Sequence, residues 1–89
     1  MISIQKTPKY DRARDKFVKN NPIRGNSLLK VLQIFTDNPS HPSLHLEKLS
    51  GLEVWTIRID RGNRIFFQWL DESTAIFIDI DKHDKYRNY

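Results

Sequence analysis

Arg58 in VWTIRID, Arg64 in NRIFFQW and His83 in the closing IDKHDKYRNY are residues whose types suit chemistry on a phosphodiester. Cleaving that bond at a ribose needs a base to take the 2′-hydroxyl proton, cations to stabilise the crowded phosphate, and an acid for the leaving 5′-oxygen. Histidine titrates near neutrality and can give or take such a proton. Arginine stays charged and grips phosphate with a planar fork. Phe66 lies two residues beyond Arg64, and Tyr86 lies three beyond His83. Both offer rings on which an unstacked base can rest, while Lys85 and Arg61 add cations for the backbone. A plainer account stays open, because arginines on exposed strands often pair with carboxylates such as Asp60 and Asp79, and such pairs are weak. Other chemistries fit less well. His41, His45 and His83 are the three histidines, and Pro42 breaks any helical pairing of the first two. No closed metal-ligand set, glycine-rich phosphate loop or activated nucleophile is visible.

Positioning these groups requires a sheet. From Ser43 onward the apolar period is two, and segments 44–49, 53–60, 63–70 and 74–80 read as strands. Ser50-Gly51, Arg61-Gly62-Asn63 and Asp71-Glu72-Ser73 are the turns between them. Short turns imply an antiparallel meander. Alternation assigns Trp55, Ile57, Ile59, Ile65, Phe67, Trp69, Ile76, Ile78 and Ile80 to the core face. Thr56, Arg58, Arg64, Phe66, Gln68, Phe77 and Asp79 fall on the other face. Keeping those faces requires matching parity, which predicts a three-residue loop Arg61-Gly62-Asn63 with a residue at positive φ. In that register Asp60 opposes Arg64 and Arg58 opposes Phe66, and the last strand delivers His83 to the edge of the arginine face.

Two helices precede the strands. Thr7-Pro8 and Asn20-Asn21-Pro22 each place a capping side chain before a proline at the first helical position. Tyr10, Ala13 and Phe17 form a buried stripe on the first helix. Leu28, Val31, Leu32 and Phe35 form one on the second, helped by Leu29 and Ile34. Residues 2–5 read as a short edge strand. The predicted fold is α+β, an N-terminal helix hairpin packed on a mainly antiparallel sheet of four to five strands.

Eighty-nine residues with a 38% hydrophobic fraction suit one domain over residues 1–89. There is no apolar run long enough for a membrane span, and Met1-Ile2-Ser3-Ile4 leads into charged residues rather than a leader peptide. The lack of cysteine fits a reducing compartment. The net charge is +4 and concentrated early. Arg12, Lys16 and Lys19 share one helix face, which suits a phosphate polymer or an acidic partner, with a solvated basic face as the alternative.

The segments HPSLHLEKLSG, VWTIRID, NRIFFQW and IDKHDKY together resemble the RelE/ParE superfamily of bacterial type II toxins, over nearly the whole chain. The resemblance implies the helix-hairpin-and-sheet fold, a cytoplasmic location and one of two main activities. RelE-, YoeB-, YafQ- and HigB-like members cut mRNA, mostly on the translating ribosome, without a metal or other cofactor. ParE-like members poison DNA gyrase, and a non-catalytic binding module is a third reading. By resemblance Arg64 matches the phosphate-stabilising arginine, His83 the C-terminal histidine, and Tyr86 the terminal aromatic. Lys48 stands where YafQ-like toxins place a histidine, and Glu47 is close to the YoeB-like glutamate base. Glu47, Lys48 and His45 remain the candidates for the base. The implied partner is an antitoxin that covers the basic surface and alone contacts operator DNA.

Overall fold

The computed structural model describes residues 1–82. The chain begins with strand β1 (Ser3–Lys6), followed by helices α1 (Pro8–Val18) and α2 (Pro22–Asp37). Both helix starts use the devices written in the sequence. Thr7 Oγ1 accepts from the Tyr10 amide at 3.1 Å, and Asn21 Oδ1 accepts from the Arg24 amide at 3.1 Å. Each satisfies an amide that the first helical turn leaves without a partner, with proline beside it at a position that needs no N–H. A 3₁₀ turn (Pro42–Leu44) leads into β2 (Glu47–Lys48), β3 (Trp55–Arg58), β4 (Asn63–Asp71) and β5 (Thr74–Lys82).

The sheet has five strands in the order β1-β5-β4-β3-β2. β2 to β5 form the expected antiparallel meander, while β1 joins β5 in parallel at the far edge. The helices cover one face of the sheet. Tyr10, Phe17, Leu28, Val31 and Phe35 meet Ile57, Ile65, Phe67, Phe77 and Ile80 in one core. The Tyr10 and Phe77 rings meet edge-on at 5.2 Å, as do Phe35 and Phe67. Leu29 does not help this face. It is 60% exposed, because the stripe on α2 follows Leu28, Val31 and Phe35.

Strict alternation fails in β5. Phe66 pairs with Asp79, but Phe67 pairs with Phe77, so Ile78 is the extra residue of a β-bulge. The bulge flips the parity of the first half of β5. Ala75 and Phe77 enter the main core, whereas Ile76 and Ile78 do not belong to it. Burying the large Phe77 ring between Tyr10 and Phe67 takes precedence over the apparent isoleucine period.

The β3–β4 connection has the predicted length, one position earlier. Ile59 donates its amide to the Asn63 carbonyl at 3.0 Å, leaving Asp60-Arg61-Gly62 as the loop. No residue in it has positive φ. The Asp60 carboxylate closes the turn instead, accepting from the Gly62 amide, the Asn63 amide and Asn63 Nδ2, each at 2.9 Å. Parity is kept, so both faces of β3 and β4 survive, but the cross-strand partners change. Arg58 lies opposite Arg64, and Thr56 lies opposite Phe66.

Candidate functional site

One row of paired residues crosses the sheet face that points away from the helices. Arg58 on β3 opposes Arg64 on β4, and Arg64 opposes Asp81 on β5. One pair further along, Glu47 on β2 opposes Thr56 on β3. Paired positions face the same way and alternate positions along a strand share a face. Glu47, Thr56, Arg58, Arg64 and Asp81 therefore converge from four strands.

Arg64 is the centre of the group. Its residue surface is only 7% exposed, so its charge needs partners close at hand. Nη1 donates to Thr56 Oγ1 at 3.2 Å and to the His45 carbonyl at 3.3 Å. Nη2 lies 3.6 Å from Glu47 Oε1, and the Glu47 side chain is half exposed. The guanidinium is thus held from below with a carboxylate at its open side. Arg58 is half-buried beside it. Its Nε donates to the Asp60 carbonyl at 3.3 Å, and its Nη1 lies 3.3 Å from His45 Nε2.

His45 reaches both arginines because of its backbone. It follows the 3₁₀ turn with φ 48° and ψ 51°, a left-handed conformation uncommon for a residue with a Cβ. That turn folds the chain back so that β2 can pair with β3. Sequence reasoning proposed the imidazole as a base but missed the carbonyl, and it missed the Thr56 hydroxyl. A buried threonine beside an arginine on a strand was the available signal.

Several expected site residues are elsewhere. Lys48 pairs with Trp55, so it faces away from Glu47, and its Nζ contacts Glu53 Oε1 at 3.4 Å. Phe66 shares the arginine face but is 0% exposed, buried under Leu49, Val54, Leu52 and Ile78 in a second small core. It has no surface for a base to stack on, and its part in substrate binding is corrected to a structural one. The extra layer arises because the segment between β2 and β3 folds over that part of the sheet. Arg61 is exposed at the tip of the β3–β4 loop. His83, Lys85 and Tyr86 lie outside the described residues. β5 runs to Lys82, which pairs with Asn63 next to the Arg64–Asp81 pair.

The basic residues of α1 form a separate region. Arg12, Lys16 and Lys19 are exposed. Lys16 borders a groove of about 410 Å³ that also meets Arg24, Lys82 and Asp79. Asp79 is buried there, with Lys9 Nζ at 3.6 Å. Among the described residues no cluster of histidines and carboxylates is arranged to hold a metal, and no helix is long and apolar enough to cross a membrane.

No family model matches the chain. RelE4 of Methanocaldococcus jannaschii, whose name marks it as a candidate toxin, is 29% identical over 86 residues, spanning 94% of this chain and 88% of that protein. The YoeB/ParE toxin from Agrobacterium tumefaciens superposes with a TM-score of 0.76 at 13% identity, covering 92% of this chain and 99% of the other. The chain is similar in sequence to RelE4 and in fold to toxins of the RelE/YoeB type. A further RelE/ParE-type fold is seen in the YoeB–YefM complex from Staphylococcus aureus, with a TM-score of 0.72 and 17% identity over 93% of this chain and 98% of that one. At such identities the superpositions establish the RelE/ParE fold, a helix pair on a five-stranded mixed sheet, which agrees with the sequence expectation.

Proposed function

We propose that this chain is the toxin of a type II toxin–antitoxin pair and that it cleaves mRNA on the ribosome by proton transfer at the 2′-hydroxyl. The observation that carries this reading is the buried Arg64 guanidinium, held by Thr56 and His45 with the half-exposed Glu47 carboxylate 3.6 Å from Nη2. A cation fixed against a carboxylate is the pair that in-line transesterification needs. Glu47 takes the proton from the 2′-hydroxyl, and that oxygen attacks phosphorus. Arg64 stabilises the negative charge that builds on the phosphoryl oxygens, with Arg58 beside it. The P–O5′ bond breaks, the 5′-oxygen leaves with a proton, and a 2′,3′-cyclic phosphate remains. His83, which follows Lys82 directly in the sequence, is the proposed proton donor. Lys85, Arg61 and Tyr86 are proposed substrate contacts.

The toxin assignment is supported by the likeness to RelE4, and an antitoxin partner by the YoeB–YefM complex. The exposed cations of α1 suit either an acidic antitoxin segment or ribosomal RNA. Mapping RNA 5′ ends after induction in cells tests the reading. Wild type should give new ends within coding sequences, and Glu47→Gln, Arg64→Ala and His83→Ala should remove them. Full toxicity retained in all three variants, or a DNA-damage response without new ends, overturns the ribonuclease assignment and points to gyrase.

A further inference from the structure

Arg58 and Arg64 occupy directly opposed positions on neighbouring strands. Like charges so placed destabilise a sheet unless something intervenes. Here one residue serves both. The His45 carbonyl accepts from Arg64 Nη1 at 3.3 Å, and His45 Nε2 lies 3.3 Å from Arg58 Nη1. Arginine can only donate, so this contact is a hydrogen bond only when Nε2 has no proton and Nδ1 carries it.

We propose that His45 is a positioning residue that sets the two guanidiniums side by side for an RNA phosphate, and that protonation of its ring releases Arg58. The inference rests on the ribonuclease reading for its substrate but not for its geometry. A second ring proton replaces the hydrogen bond with a contact between two cations, which releases Arg58 Nη1 and leaves the guanidinium its Nε bond to the Asp60 carbonyl. The Arg64 bond is unaffected because it is made by the backbone. Among the described residues, the charged and titratable groups on this side of the sheet are Arg58 from β3, Arg64 from β4, Glu47 from β2 through its contact with Arg64, and Asp81 from β5 opposite Arg64. His41 starts the same 3₁₀ turn, but its Nδ1 is engaged by Ser43, at 2.8 Å from Oγ and 3.1 Å from the amide.

The left-handed backbone separates the two functions of His45. Glycine adopts that conformation freely and asparagine tolerates it. His45→Gly therefore keeps the carbonyl for Arg64 and removes only the ring from Arg58. Nitrogen NMR of the full chain reads the tautomer and the Arg58 Nε–H directly. Wild type should carry its ring proton on Nδ1 at pH 8, and the Arg58 resonance should move when acidification adds the second ring proton. In His45→Gly the Arg58 resonance should hold its released position at every pH. A ring proton on Nε2 at pH 8, or an Arg58 resonance indifferent to both pH and His45→Gly, overturns the proposal.

Binding of a short RNA with 2′-deoxy substitutions supplies a second measurement. At pH 8, His45→Gly should weaken it about 2- to 10-fold, the effect of one hydrogen bond, and should have no further effect in an Arg58→Ala background. Additive losses overturn the positioning role. If wild type fails to bind RNA while the NMR result holds, the ribonuclease reading fails and the arrangement of His45 with Arg58 stands.

Discussion

At the scale of single residues, strand alternation divides two neighbours that the sequence could not separate. Glu47 and Lys48 were both candidates for the base, yet only Glu47 faces Arg64. If the chain is the proposed ribonuclease with Glu47 as its base, Glu47→Gln keeps the shape and removes the proton acceptor, so RNA cleavage should fall about 10²- to 10⁴-fold. Lys48→Ala removes a cation held at Glu53 on the other face, and cleavage should change only a few-fold, in a purified assay with defined RNA. Comparable losses in both variants would reject the assignment of the base. Phe66 gives the complementary case. As a fully buried member of the second core, Phe66→Ala should cost about 3–5 kcal/mol of stability. Chemical denaturation measures this, and a normally stable variant would show that the β2–β3 segment does not cover the ring.

At the scale of elements, the helices and the order of the strands were legible because their signals are local. A capping side chain before proline marks each helix start, and a run of alternating residues marks each strand. Partnering was less legible because it depends on groups distant in sequence. The bulge at Ile78 comes from packing of Phe77 against Tyr10 and Phe67, residues far from Phe77 along the chain. The parallel partner of β1 and the cover over Phe66 are equally non-local. In the site, the arginine face was visible from parity alone, whereas the His45 carbonyl and the Thr56 hydroxyl depend on a turn and a register that parity does not define. The β3–β4 loop shows why the register was missed by two residues. Asp60 closes it with three hydrogen bonds, so no residue needs positive φ. Asp60→Ala removes those acceptors next to the pair Arg58–Arg64. Stability should drop by about 1–2 kcal/mol, and amide exchange at Gly62 and Asn63 should quicken. Unchanged exchange there would mean that strand pairing alone holds the loop.

At the scale of the whole molecule, charge and burial set conditions for stability and binding. Tyr10 is wholly buried between α1 and β5, and its hydroxyl has no hydrogen-bond partner among the described residues. Burial pushes its pKa from 10.0 up to about 12, partly opposed by the nearby Arg14. The charged form of tyrosine is the deprotonated one, so the folded state resists ionisation more than the unfolded state does. Stability from this source is complete below pH 10 and is lost progressively as pH rises through about 12. Tyr10→Phe removes both the ionisation and the unpaired hydroxyl while keeping the ring against Phe77. It should gain about 1 kcal/mol near neutrality and a larger margin above pH 10, read from denaturant midpoints at pH 7 and pH 11. A loss near neutrality would reveal a partner for the hydroxyl. The exposed cations Arg12, Lys16 and Lys19 act at longer range. If they track an RNA backbone, Lys16→Ala should reduce the slope of log affinity against log salt by about 0.7, the value for one phosphate contact on a single strand. If they serve the antitoxin, that slope stays unchanged while the affinity for an acidic partner falls, so the same variant assigns the face through two titrations.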